Sequence, residues 1–158
     1  MTVGEQAAKL LIEKGITIAV SESCTGGLLS SAIIDFPGVS EVFEEGCVTY
    51  SNNSKMRRLG VSKETLDNYG AVSHETAREM AAGIALTAGT DIGISTTGIA
   101  GPGGGTEEKP VGLVYIGFYM GGQVSSRELR LAGDREQIRR SAVRSALEWL
   151  IFEVERMG

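Results

Sequence analysis

The sequence predicts an α/β fold: a mixed five-stranded sheet with helices on both faces, one strand antiparallel to the others. Three observations carry this expectation. Segments of helical period alternate with short β-branched runs up to residue 97. Three of those runs end in hydroxyl-bearing residues, at Ser23-Cys24-Thr25, Thr49-Tyr50-Ser51 and Thr96-Thr97-Gly98. Two further alternating segments are joined by Gly121-Gly122, a two-residue hairpin turn. The 158 residues suffice for a single domain, 1–158, with a sizeable core.

The elements follow in order. Thr2 and Glu5 have capping-box spacing before a helix over about 3–14, and Gly15 ends it. A first strand is expected over about 16–22. A second helix starts near Thr25, carries Leu28, Leu29, Ala32 and Ile33 on one side, and stops at Pro37-Gly38. The second strand covers about 45–51; short helices follow from Asn52 and after Ser62. A longer helix, about 74–87, places Ala77, Met80, Ala81, Ile84 and Ala85 at helical period behind a Ser73 cap. The third strand, from Asp91 to Thr97, runs into a glycine loop, and the hairpin strands follow from Val111 to Met120 and Gln123 to Leu131. The last helix, about 134–156, sets Ile138, Ala142, Ser145, Ala146, Trp149 and Leu150 on one stripe.

Composition narrows the chemistry. Hydrophobic content of 42% and charged content of 22% are those of an ordinary globular chain. No apolar run spans a membrane, and no segment reads as a secretory signal, so a cytoplasmic protein is expected. A net charge of −5 argues against non-specific nucleic-acid binding. Cys24 and Cys47 have neither metal-type spacing nor a disulfide framework, and read as buried thiols. With His74 as the one histidine, a His-rich metal site is impossible. A Ser-His-Asp triad would need His74, which reads instead as a solvated first-turn residue.

In sheets of this kind ligands collect at the carboxyl ends of the parallel strands, where all three hydroxyl-rich motifs lie. Ser23 is a candidate nucleophile or a helix cap; Thr25 as the cap would release Ser23. The helix start near Thr25, Gly26 and Gly27 offers N–H groups to a developing negative charge. Cys24 has no adjacent cation to activate it. Tyr50 ends the second strand and Lys55 lies in the first turn or so of the following helix, as a lysine base with a tyrosine relay or as a solvated lysine and a rim tyrosine. The loop Thr96-Thr97-Gly98-Ile99-Ala100-Gly101-Pro102-Gly103-Gly104-Gly105 has the composition of an anion-binding concavity or of a flexible hairpin-like loop, the hydroxyls of Thr96 and Thr97 favouring the former, and it is neither a Walker A loop nor a dinucleotide fingerprint. Arg135, Arg139, Arg140 and Arg144 open the last helix, offset by Asp134 and Glu136 or drawn to an anionic ligand.

Six blocks resemble a known family: Ser21-Glu22-Ser23-Cys24-Thr25-Gly26-Gly27, Val48-Thr49-Tyr50-Ser51-Asn52, Gly70-Ala71-Val72-Ser73, the glycine loop from Thr97 to Gly104, Glu107-Glu108-Lys109-Pro110-Val111-Gly112 and Gly133-Asp134-Arg135. In order and over nearly the whole chain, they are similar to the CinA C-terminal domain, which also occurs as a stand-alone nicotinamide mononucleotide (NMN) deamidase. The resemblance implies a three-layer α/β/α sandwich, commonly dimeric, with no metal or cofactor. It implies an amidohydrolase of pyridine-nucleotide recycling that turns NMN and water into nicotinate mononucleotide and ammonia. No molybdopterin-binding-like N-terminal CinA domain is present in the sequence, as in the stand-alone form or an excised domain. The nucleophile falls on Ser23, and Tyr50, Lys55 and Thr97 match the family's polar active-site positions. An arginine of the final helix, Arg139 or Arg140, meets the substrate.

The expected mechanism has Ser23, deprotonated by Lys55 directly or through Tyr50, attacking the carboxamide, with N–H groups near Thr25, Gly26 and Gly27 holding the oxyanion. Gly98, Gly101, Gly103 and an arginine would hold ribose and phosphate. The alternatives are a catalytically silent nucleotide-binding or regulatory module and, more weakly, a phosphotransferase, which lacks its P-loop and carboxylate cluster here.

Overall fold

The computed structural model describes residues 1–157. Among them are six helices and five strands: α1 Val3–Lys14, β1 Ile18–Glu22, α2 Leu28–Ile34, β2 Phe43–Val48, α3 Asn52–Leu59, α4 Lys63–Tyr69, α5 His74–Ala88, β3 Ile92–Gly98, β4 Leu113–Met120, β5 Gln123–Arg130 and α6 Arg135–Arg156. One sheet holds all five strands in the order β2-β1-β3-β4-β5. β1 pairs in parallel with β2 and β3, while β4 is antiparallel to both β3 and β5. β4 is thus the single strand running against the others, as expected.

Residues alternate between two packed faces. Val20 and Ile94 enter a core with Leu11 of α1, Leu29 and Ile33 of α2, and Val143, Leu147 and Leu150 of α6. Ala19 points the other way, to Leu59 of α3 and Met80 and Ile84 of α5. Each such fully buried large side chain contributes about 1.5–3 kcal/mol, and together they hold the strand ends in register. On the α5 face the contact is close enough to be polar. Ser21 Oγ donates to the Met80 carbonyl at 3.3 Å and Ser95 Oγ to the Ala77 carbonyl at 2.6 Å. Gly93 and Gly117 permit this approach, because a Cβ at either would collide with a carbonyl of α5.

The caps of α1 and α5 and the Gly121-Gly122 turn, both glycines at positive φ, agree with the sequence reading. β1 and β4 each begin two residues later than expected, at Ile18 and Leu113, and two further differences have a local cause. α2 begins at Leu28 and not at Thr25, because Gly26 and Gly27 are left-handed (φ 56° and 104°) and cannot extend a helix. β2 runs two or three residues earlier than expected: its end at Val48 lets Ser51 leave the ladder and cap α3 through the Ser54 N–H. A 3-10 turn at Val39–Glu41, not anticipated, leads into β2. Among the described residues no helix is long and apolar enough to cross a membrane.

Candidate active site

The register of the parallel strands builds the site. Ser21 lies opposite Cys47 of β2 and Ser95 of β3. Beyond the last residues that β1 pairs with either neighbour come Ser23, Thr49 and Thr97, a row of hydroxyl residues at three neighbouring strand ends. The Thr49 N–H extends the ladder to the Glu22 carbonyl at 2.8 Å. The Thr97 hydroxyl is committed to the Ala71 carbonyl at 2.8 Å. The Thr49 hydroxyl, in a residue 1% exposed, has no hydrogen-bond partner among the described residues.

Lys55 reaches this row from the first turns of α3 and is 1% exposed. Its Nζ donates to the Thr49 carbonyl at 2.8 Å, the Tyr50 carbonyl at 3.0 Å and Ser23 Oγ at 3.1 Å. Burial pulls its pKa down to about 8, opposed by the neighbouring Cys24. The geometry settles what deprotonation does. Two carbonyls can only accept, so they hold two N–H bonds of the neutral amine, and its lone pair then faces Ser23 Oγ. In that form the amine could take the proton of the Ser23 hydroxyl.

The turn above β1 is braced by Glu22, a wholly buried carboxylate. It accepts from the N–H groups of Gly27, Leu29 and Ser30 and from the hydroxyls of Ser30 and Thr25. Because the Thr25 proton is on Glu22, the 2.7 Å contact between the Thr25 and Thr96 hydroxyls has Thr96 as donor. Glu22 therefore supplies the cap that Gly27 lacks and sits at the positive end of α2. Two expectations are corrected here. Thr25 does not cap the helix, and the N–H groups of Gly26 and Gly27 are already taken, by the Ser23 carbonyl and by Glu22. Among the described residues, the N–H groups of Ser23, Cys24 and Thr25 in this turn meet no acceptor from another residue. Glu22→Ala strips the acceptor from three backbone N–H groups and two hydroxyls, and should lower the unfolding free energy by about 3 kcal/mol or more. A shift of the urea midpoint checks this.

Other residues fall into place around the row. Cys24 is buried among Ala100, Val114, Ile138 and Ala142, and burial raises its thiol pKa to about 11, which removes it as a thiolate nucleophile. The Tyr50 side chain is 62% exposed, and its hydroxyl meets Arg135 at 3.4 Å, not Lys55. Its carbonyl, not the expected relay hydroxyl, is what it brings to the lysine. His74 is half-buried rather than solvated, with Nδ1 2.8 Å from Ser126 Oγ and its ring edge-on to Tyr115.

Arg139 and Arg140 separate cleanly. Arg139 donates to the Cys24 carbonyl at 2.9 Å and the Thr25 carbonyl at 3.2 Å. Arg140 points elsewhere, pairing with Glu136 and lining a depression of about 180 Å³ with Leu28, Ser31, Ala32, Asp35 and Val143. That depression includes none of the hydroxyl row, so Arg140 is not brought to it. Gly98 lies against β4, where a Cβ would strike Val114 and the Leu113 carbonyl. Gly101 gives its carbonyl to Arg135 at 2.7 Å, whereas Gly103 stands exposed with open space where a side chain would be.

Glu22 belongs to the site's construction without having been singled out for it, and Thr49, Thr96 and Arg135 were named only within larger motifs. A spacing signal existed for Arg135: with Ile138, Arg139 and Ala142 it shares one helical face, which Arg140 does not. Among the described residues no three His, Cys, Asp or Glu side chains gather as a metal site would require.

Known proteins share this architecture. The CinA C-terminal domain model matches residues 1–154. A relative from Clostridium acetobutylicum, named as a competence-damage inducible protein, is 63% identical over 92% of this chain and 35% of its own length. One from Clostridium novyi is 57% identical over 100% of this chain and 38% of its own. The chain thus spans little more than a third of the curated relatives it matches. The crystal structure of a CinA superfamily protein from Klebsiella pneumoniae superposes with a TM-score of 0.93 at 35% identity, covering 98% of this chain and 96% of that one. A competence/damage inducible protein from Agrobacterium tumefaciens gives a TM-score of 0.90 at 42% identity over 96% and 95%. A family model spanning nearly every residue, and solved relatives of the same fold, establish that this chain belongs to the CinA C-terminal domain family.

Proposed function

We propose that this protein is an amidohydrolase that deamidates NMN to nicotinate mononucleotide and ammonia. One observation carries the chemistry: a buried lysine whose three N–H bonds end on two carbonyls and the Ser23 hydroxyl. Neutral Lys55 takes the Ser23 proton as Oγ bonds to the carboxamide carbon and the carbonyl π pair moves to oxygen. The N–H groups of Ser23, Cys24 and Thr25 are the donors available to that oxyanion. On collapse the C–N bond breaks, nitrogen takes the proton from Lys55, and ammonia leaves. Water, deprotonated by Lys55, then cleaves the acyl-serine ester and restores Ser23.

The choice of a nucleotide substrate rests on the family resemblance and on charge. Although the chain carries a net charge of −5, neither Arg135 nor Arg139 is paired with a carboxylate among the described residues. Both bind backbone carbonyls at the site's rim, which leaves their positive charge for an anion such as a phosphate. Comparing ammonia release from NMN, its dephosphorylated nucleoside and free nicotinamide tests this reading. NMN should be the preferred substrate; equal rates on all three, or none on any, would count against it. Arg135→Ala should raise KM for NMN about 10-fold with little change in kcat, as loss of one charge-assisted contact does, in steady-state assays at fixed salt. The resemblance is also the ground for proposing a homodimer, which light scattering against the 16.7 kDa chain mass checks.

A further inference from the structure

We propose that the Thr49 hydroxyl recognises the leaving group: it accepts an N–H of the scissile carboxamide and holds that nitrogen where Lys55 can protonate it. The inference rests on the deamidase reading and adds a residue to it. Three observations carry it. Thr49 stands next to Ser23: its N–H continues the β1–β2 ladder to the Glu22 carbonyl, and Lys55 Nζ bridges its carbonyl to Ser23 Oγ. Its carbonyl anchors Lys55 Nζ at 2.8 Å, so the residue and the base occupy the same flank of Ser23. Its hydroxyl is 1% exposed in residue terms and unpartnered, whereas Thr97, on the opposite flank, has given its proton to Ala71.

A buried hydroxyl without a partner is unfavourable for folding, and a valine would fill the same space without that cost. A partner that arrives with the ligand removes that cost. The side of the site on which it stands identifies the partner. The base that takes the nucleophile's proton is the acid that must deliver it to the departing nitrogen. That nitrogen therefore lies on the Lys55 flank, which is also the Thr49 flank. The oxyanion lies towards the N–H groups of Cys24 and Thr25, further along the turn from Ser23. As acceptor from one amide N–H, Thr49 would orient the nitrogen so that the lone pair localised when the carbonyl becomes tetrahedral faces Lys55. No proton is gained or lost by Thr49 itself.

The test separates this role from a packing role by changing the leaving group. NMN requires a protonated nitrogen to depart. A p-nitrophenyl ester has no amide N–H, and its leaving group departs as an anion. Thr49→Val should lose about 10- to 100-fold in ammonia release from NMN while hydrolysing p-nitrophenyl acetate at close to the wild-type rate. Its melting temperature should be equal to or above wild type. Thr49→Ser, which keeps the hydroxyl, should recover most of the amide turnover. Retention of amide turnover by Thr49→Val overturns the inference, as does an equal loss on amide and ester, which would mark a structural role. A wild-type protein that releases no ammonia from NMN removes the deamidase reading first, and the inference with it; that failure is visible before any variant is made.

Discussion

Ser23→Ala is expected to abolish ammonia release, by about 10⁴-fold or more as when a serine nucleophile is deleted from a hydrolase, while leaving the fold intact. The expectation of an intact fold comes from the contacts. Ser23 Oγ makes one hydrogen bond, from Lys55, and Lys55 retains both carbonyl acceptors without it. The turn itself is held by Glu22, Thr25, Thr96 and Arg139, none of which depends on the serine hydroxyl. Circular dichroism and the melting temperature check the second half of the prediction, and an ammonia assay the first. A variant that is both unfolded and inactive would not support the mechanism.

Lys55→Met carries the second large effect. Methionine fits the buried stem but cannot take a proton, so turnover should fall by about 10²- to 10⁴-fold, the usual contribution of a general base. The pH dependence identifies the group more sharply. Burial lowers the lysine pKa from 10.5 to about 8, so its neutral, competent form grows as pH rises through that value. The wild-type kcat/KM should therefore climb tenfold per pH unit below about 8 and level off above it. The sign for stability follows from the same shift. Between about 8 and 10.5 the unfolded chain binds more protons than the folded one, so this group's contribution to stability rises with pH across that window and is least favourable below it. A rate that falls as pH rises through 8 would contradict a lysine base.

The order of elements was legible because periodicity and caps are local properties. Thr2 with Glu5, Ser73 with Thr76, and the Gly121-Gly122 turn act within a few residues of themselves. Boundaries set by distant partners were not. β2 ends where Ser51 is needed to cap α3, and α2 starts late because two left-handed glycines precede it. The site shows the same division. The strand-end hydroxyls could be read from the sequence because parallel sheets place ligands there. That Lys55 turns inward to Ser23 across 32 residues came from the family resemblance alone, since an isolated lysine on a short helix has no periodic signature of burial. Tyr50 illustrates a subtler miss: a conspicuous side chain drew the reading, while its carbonyl does the holding. Glu22 was hidden by its place within a fully buried strand, where an acid is intelligible only once the donors of α2 are seen around it.

Trapping with hydroxylamine tests the central claim, covalent catalysis by Ser23, most directly. Hydroxylamine added during turnover of NMN competes with water for an acyl-enzyme. The account predicts that the hydroxamate of nicotinate mononucleotide forms at the expense of the acid, that ammonia release is undiminished, and that Ser23→Ala yields no hydroxamate above the uncatalysed background. Full conversion to the acid with no enzyme-dependent hydroxamate at any hydroxylamine concentration would contradict it and leave water, positioned by Ser23, as the attacking group.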